Sequence, residues 1–370
     1  MKIGVLTSSR ADYGIYLPLL QKLKIDSFFE LEIIAFGTHL SKNHGYTLKD
    51  IVKDGYNTIH EIISLVDDDS QKGISTSYGN TVLKFSEFWE NYSFDLVFCL
   101  GDRFEMSAAV QASIPFGLKL AHIHGGETTL GAIDNIYRHQ ITLASSLHFT
   151  STDVFRNKVA SLIDSQDNIY SVGSLSLDDL RSFVPIDKTI LCEKFAFPNK
   201  EFALVTFHPE TVETRLNNRF AESMRTALLK ISEFINIVIT MPNADTLGSI
   251  YRSEIIKLKK EVPNKVFLIE NFGKANYFSA MHYSKLLIGN TSSGIIEAAS
   301  FGKYVVNVGN RQKGRVQSDN IINVPFENST ICLAAAKVLE KGFFKGGNVY
   351  CKKEVAESII KIIKIFYENI

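Results

Sequence analysis

Asp102, His124, Glu127 and Asp134 are the side chains best suited to move protons, and all lie in one stretch, FDLVFCLGDRFEMSAAVQASIPFGLKLAHIHGGETTLGAIDNIYRH, residues 94–139. The apolar run Phe94 to Leu100 is long enough for a buried parallel strand and ends at Gly101-Asp102-Arg103. Met106 to Gln111 fits a short helix, and Leu118 to Ile123 a second strand opening into His124-Gly125-Gly126-Glu127. Asp134, Arg138 and His139 follow. Ligands of open parallel sheets bind beyond the carboxyl ends of strands, so titratable groups gathered there suit general acid/base chemistry. The competing reading makes Asp102 a helix cap and pairs Arg103 with Glu105 at the surface.

A second constellation suits anions. Gly289-Asn290-Thr291-Ser292-Ser293-Gly294 falls between a strand and a helix, offering hydroxyls, backbone donors and a positive helix end to a diphosphate. Glu297, on the first helical turn, can accept two ribose hydroxyls or merely complement the helix dipole. Gly309 to Arg315 adds Arg311, Lys313 and Arg315 after the next strand. In the first half, Thr7 to Gly14 is a polar turn between strand and helix, where helix-start N–H groups and Arg10 can face a phosphate. It has no GxGxxG, so it is not a dinucleotide fingerprint. His39 and His44 follow a strand and either line the same site or are solvated.

These groups need a frame, and the elements alternate strand and helix throughout. Ile3–Leu6, Glu30–Phe36, 94–100, 118–123, Leu147–Thr150 and Asn168–Val172 read as strands of a doubly wound domain. Residues 67–80, DDDSQKGISTSYGN, read as a polar mobile segment before a helix from Thr81 to Trp89. Residues 178–200 hold two prolines and weak periodicity, marking a boundary. The pattern restarts with strands at Phe202–Thr206, Ile235–Thr240, Val266–Ile269, Lys285–Gly289 and Tyr304–Val308. The first of these ends at Phe207-His208-Pro209-Glu210-Thr211, the second at Met241-Pro242-Asn243-Ala244-Asp245. The expected architecture is α/β, two Rossmann-like domains facing a central cleft. Residues 1–178 form an N-terminal domain with the acid/base cluster, and 179–350 a nucleotide-binding domain. An apolar C-terminal helix, 351–370, packs back on the first.

Composition narrows the class. Lys+Arg and Asp+Glu balance at 40 each, so no bulk charge favours nucleic acid or an acidic membrane surface. Hydrophobic residues make up 45% of the 370 residues and charged ones 22%, the proportions of a globular protein. The four cysteines are scattered without a CxxC pair, against a zinc site or disulfide framework. MKIGVLTSSR has too short an apolar stretch for a signal peptide, and no run spans a bilayer. A cytoplasmic enzyme is expected, with no metal.

The ordered set TSSRADYG, CLGDRFE, HIHGGE followed by IDNIYRH, TFHPET, GNTSSGIIEA and GNRQKGR resembles the hydrolysing UDP-N-acetylglucosamine 2-epimerases, the sialic-acid-pathway branch of the UDP-sugar 2-epimerases. The likeness runs from Lys2 to about Arg315. It implies a GT-B-like fold with UDP held by the second domain, a homodimer, and no redox cofactor. It implies the conversion of UDP-N-acetylglucosamine and water to N-acetylmannosamine and UDP, by anti elimination to a 2-acetamidoglucal and then hydration. Carried over by motif, Asp102, Asp134 and His208 are acid/base residues. Arg10, Ser292, Ser293 and Arg315 are diphosphate ligands and Glu297 a ribose ligand, with Arg138, Gly294 and Arg311 completing the nucleotide-sugar contacts. One position departs from the family, which writes HIEGGE or HVEAG with its catalytic glutamate first. Counted from Asp102, that place here holds His124; Glu127 comes three residues on, and the loop before Asp134 is one residue longer. Either His124 takes the acid/base role or Glu127 swings in. Relatives acting on UDP- or GDP-linked 2,4-diacetamido-2,4,6-trideoxyglucose, and non-hydrolysing epimerases, are the alternatives.

Overall fold

The computed structural model describes residues 1–212, 214–242 and 247–368. The side chains of His44 and Arg181 are not described, and the Asn243-Ala244-Asp245 turn and the last two residues of the expected C-terminal helix lie outside the described residues. The chain forms two compact units. The first comprises Met1–Glu127, Asp134–Arg181 and Tyr350–Ile370. The second comprises Thr128–Ile133 and Ser182–Val349.

In the first unit the strands are β1 (Lys2–Thr7), β2 (Glu30–Phe36), β3 (Thr58–Ile62), β4 (Leu96–Leu100), β5 (Leu120–Ile123), β6 (Leu147–Thr150) and β7 (Ile169–Ser171). They are joined by helices α1 (Arg10–Ile25), α2 (Leu48–Lys53), α3 (Gln71–Asn91), α4 (Phe104–Ser113), α5 (Asp134–Ala144) and α6 (Asp153–Ile163). All pairings are parallel, in the order β3-β2-β1-β4-β5-β6-β7. Strand order reverses between β1 and β4, the switch point where doubly wound sheets bind ligands. β4, LVFCL, is buried at every position because helices cover both faces of the sheet.

The second unit begins with α7 (Lys188–Lys194). Its strands are β8 (Phe202–Thr206), β9 (Asn236–Thr240), β10 (Val266–Ile269), β11 (Leu286–Gly289), β12 (Val305–Val308) and β13 (Ile321–Val324). Its other helices are α8 (Asn217–Ile231), α9 (Gly248–Glu261), α10 (Lys274–Tyr283), α11 (Ser292–Ile296) and α12 (Asn328–Lys341). The sheet is again parallel, ordered β10-β9-β8-β11-β12-β13, with its switch point between β8 and β11. These two Rossmann-like sheets are the GT-B-like class of fold. No described helix is long and apolar enough to cross a membrane.

Three expectations need correction. Residues 67–80 do not form a mobile segment: most belong to α3, whose start is fixed where the Ser70 hydroxyl accepts from the Gly73 N–H at 3.1 Å. Two of its polar residues point inward, Thr81 bonding Ser64 at 2.8 Å and Ser77 bonding the Val66 N–H at 3.0 Å. The boundary at 178/179 shifts to 181/182. Finally, Thr128–Ile133 belongs to the second unit, where the Leu130 N–H bonds the Lys313 carbonyl at 2.9 Å and the Ile133 N–H the Thr211 hydroxyl at 2.9 Å. The last helix, α13 (Val355–Glu368), lies in the first unit and buries Val355, Ala356, Ile359, Ile360 and Ile363 against a core that includes Tyr16, Leu19, Leu20 and Leu23 of α1. The Asp178 carboxylate accepts from the Val355 and Ala356 N–H groups and so satisfies its first turn.

Candidate functional site

In the first unit, Asp102 and His124 sit just beyond the carboxyl ends of the neighbouring strands β4 and β5. Arg138, on α5, gathers them. Its guanidinium pairs with the Asp102 carboxylate, donates to the His124 carbonyl at 2.8 Å and lies 3.9 Å from Glu127. Arg138 is only 1% exposed. Expected at the nucleotide sugar, it is here the buried counter-charge of two carboxylates, Asp102 and Glu127. Asp102 therefore does not cap α4, which starts after Arg103 without a side-chain cap. Arg103 does bind Glu105, at 2.8 Å, but Glu105 is fully buried rather than superficial.

Glu127 is also buried, accepts from the Ser151 hydroxyl at 2.8 Å and lies 3.3 Å from His124 Nδ1. The loop reaches this position through Gly126, whose φ is +75° and where a Cβ would stand 2.5 Å from the Phe155 carbonyl. His124 itself is left-handed, φ +66°, which costs a non-glycine residue about 1 kcal/mol or more. Its Nε2 is buried without a hydrogen-bond partner among the described residues. Asp134 opens α5 and is half-buried; three residues on, the Tyr137 hydroxyl is pushed up by burial and then by Asp134.

His122 was not among the expected site residues, although its period-two spacing with His124 was the available signal. It is fully buried, with Nε2 2.9 Å from the Gly101 carbonyl and Nδ1 3.1 Å from Thr142 Oγ1. A carbonyl only accepts, so Nε2 carries the proton and His122 holds the turn that presents Asp102. Burial pushes its pKa down to about 3, and that of His148, its cross-strand neighbour, to about 4.

Depressed histidine values fix a pH dependence. Above about 6.5, the ordinary histidine value, neither group costs the folded state anything; as pH falls below it, only the unfolded chain gains protons. Stability is lost progressively toward pH 4 and 3, on the order of 2 kcal/mol per histidine by pH 5. Urea midpoints at pH 7.5 and 5 should show this fall, and His148→Gln should reduce it.

Arg10 begins α1, and burial lowers its pKa against a smaller opposing effect of Asp50. The expected anion cradle around it is not formed by the turn amides. The Ser8 and Ser9 N–H groups donate to Asp12 at 2.9 and 3.0 Å, and the Thr7 hydroxyl does so at 2.7 Å. An internal carboxylate occupies the place of an external anion. Burial works to raise the Asp12 pKa, but bonds from His39, Thr7 and Ser8 outweigh it and hold the group below the usual range. His39 is fully buried between Thr7 and Thr47, so it neither lines an open site nor is solvated.

In the second unit the switch point is tied by Asn290, another side chain not singled out from sequence. Its amide oxygen accepts from the His208 N–H at 2.7 Å, and its nitrogen donates to the His208 carbonyl at 2.8 Å. This joins the end of β8 to the start of the GNTSSG loop. Gln312 donates to the Asn290 carbonyl at 2.8 Å, bringing the loop of Arg311 and Arg315 to the same place. Glu210 accepts from the Asn310 N–H at 2.6 Å. Ser292 is exposed at the first position of α11, Ser293 meets the Tyr277 hydroxyl at 2.5 Å, Gly294 packs on β12, and Glu297 is buried at the far end of α11. Burial raises the Tyr277 pKa to about 12, so it stays a neutral donor. α11 has only five residues, so hydroxyls and the arginine loop must carry more of any anion binding than the helix dipole. Among the described residues no group of three or more His, Cys, Asp and Glu side chains is placed to hold a metal ion.

One Rossmann-like unit thus carries a cluster of titratable side chains at its strand ends, and the other a hydroxyl-rich loop tied to a basic one. The sequence profile of the UDP-N-acetylglucosamine 2-epimerase family matches residues 21–364, and the chain belongs to that family. It is 31% identical over 372 residues to the polysialic acid biosynthesis protein P7 of Escherichia coli, covering 100% of this chain and 95% of that one. It is 31% identical over 365 residues to the hydrolysing UDP-N,N'-diacetylbacillosamine 2-epimerase of Legionella pneumophila, covering 98% and 95%. Among solved structures, UDP-GlcNAc 2-epimerase from Neisseria meningitidis bound to UDP-GlcNAc superposes with a TM-score of 0.81 at 16% identity, over 99% of this chain and 100% of that one.

Proposed function

We propose that this UDP-sugar 2-epimerase is hydrolysing, converting UDP-N-acetylglucosamine and water to N-acetylmannosamine and UDP. The observation that carries the reading is the Asp102–Arg138–Glu127–His124 set at the ends of β4 and β5, buried except for the partly exposed Asp102. Elimination of UDP across C1–C2 needs a base for the C2 proton and a second group to handle water, and coupled titratable groups divide such roles. Asp134 and His208 are proposed to complete the proton transfers. Arg10, Ser292, Ser293, Gly294, Arg311 and Arg315 bind the diphosphate, and Glu297 the ribose. Asn290 supports this by fixing His208 and the GNTSSG loop to each other. Arg138 is proposed to act through Asp102 and Glu127 rather than on phosphate. The protein is taken to work as a cytoplasmic homodimer, which sedimentation of the purified chain tests.

A second substrate reading is favoured by the name of the Legionella relative: the same reaction on UDP-N,N'-diacetylbacillosamine. Purified protein is given each nucleotide sugar in deuterated water, with products followed by NMR. The expected result is UDP with a free 2-epimerised sugar carrying deuterium at C2. Return of an epimerised UDP-sugar makes the enzyme non-hydrolysing, and a requirement for an acceptor makes it a glycosyltransferase.

A further inference from the structure

We infer that His124 is the group that takes the C2 proton, with Glu127 and Ser151 holding its ring; the inference rests on the elimination proposed above. The ring's two nitrogens are unequal. Nδ1 lies 3.3 Å from Glu127 Oε1, the same oxygen that accepts from Ser151 at 2.8 Å. A carboxylate only accepts, so Nδ1 carries hydrogen and Nε2 carries the lone pair. Nε2 is buried and meets no hydrogen-bonding atom among the described residues. A buried nitrogen lone pair in a polar cluster calls for a partner, and a substrate C–H in transit supplies one.

The backbone supports the same assignment. His124 holds a left-handed φ of +66°, clamped on one side by its N–H on the Phe149 carbonyl and on the other by Arg138 on its own carbonyl, both at 2.8 Å. Strain fixed from two sides points a ring in one direction. The rival bases are engaged elsewhere. Asp102 is held in an ion pair with the Arg138 guanidinium. Glu127 is anchored by Ser151 at 1% exposure, so it orients the ring in place instead of swinging in. A carboxylate behind a histidine is the arrangement that makes imidazole a general base.

In the step, the C2–H bond breaks and its proton passes to His124 Nε2. The electron pair left on C2 forms the C1=C2 bond, and the C1–O bond breaks with UDP leaving on its electrons. The resulting imidazolium is stabilised through Nδ1–H by Glu127.

The test uses His124→Gly, because glycine accepts the left-handed backbone without strain. Release of UDP by this variant should fall by about 10²–10⁴ in kcat, the usual worth of a positioned base, with KM changed less than about threefold. Added imidazole should restore at least about tenfold of the lost rate in a saturable manner, and pyrazole, of the same shape but far less basic, should not. Glu127→Gln should lower kcat with KM kept, because it loses only the orientation of the ring. His124→Asn, also tolerated at positive φ, replaces the glycine variant if circular dichroism shows that one unfolded, and should lose the same rate. The inference is overturned if the folded variant keeps its rate within about tenfold, if imidazole fails to rescue it, or if pyrazole rescues equally. Absence of UDP release by the wild-type chain would instead overturn the elimination itself.

Discussion

Asp102→Asn is expected to lower the rate of UDP release by about 10²–10⁴, the contribution of a positioned acid/base group. The isostere keeps the turn, because His122 holds the Gly101 carbonyl and not the Asp102 side chain. What it removes is the negative charge facing Arg138, a cation 1% exposed. Among the described residues, Arg138 then keeps Glu127, 3.9 Å away, as its carboxylate partner and the His124 carbonyl as an acceptor, so some stability is lost as well. Asp102 is partly exposed, which discounts the cost of a fully buried pair to roughly 1–3 kcal/mol. The two losses separate by experiment. Thermal unfolding reads the second, and turnover at saturating nucleotide sugar on the folded protein reads the first. A rate within about tenfold of wild type would remove Asp102 from the chemistry.

Gly289→Ala should unfold the second unit more readily than any surface change. Gly289 closes β11 directly opposite Thr206 of β8, with φ +148°. A Cβ there would stand 1.8 Å from the Thr206 carbonyl oxygen. The neighbour is backbone in a paired strand, so it cannot turn aside as a side chain would. Overpacking and backbone strain together predict a loss of roughly 3–5 kcal/mol. For a unit of this size that is a fall on the order of 10 °C in Tm, measurable by calorimetry. Asn290 follows immediately, so UDP affinity should fall with it. A variant with unchanged Tm and affinity would show that the close approach at β8–β11 is not needed.

The parallel sheets were legible because buried parallel strands write themselves as short apolar runs between polar turns. β4, β8 and β11 emerge from that signal within a residue or two. β3, TIHEI, does not, because it is a sheet edge and three of its five positions are only half-buried. α3 is masked in the sequence by its Ser and Gly and by the aspartates at 67–69 just before it, residues that ordinarily break helices; here Ser70 caps and Ser77 and Thr81 are spent on internal bonds. Of the proton-moving side chains, the motif turns at strand ends supplied Asp102, His124 and Glu127. Their wiring was not readable. That Arg138 serves carboxylates, that Asp12 fills the β1–α1 turn and that Asn290 binds both faces of His208 depend on distances across the fold, which spacing along the chain does not encode.

The first unit is closed by Tyr350–Ile370, a stretch made after the whole of the second unit. α1 is made before the second unit, yet Leu19, Leu20 and Leu23 share their core with Ile359, Ile360 and Ile363, which are made after it. The second unit has all its strands beforehand and is free to fold first. During synthesis the first unit therefore waits, partly uncovered, for α13, and a chain stopped short of Val355 would leave a sticky nascent surface for chaperones to hold.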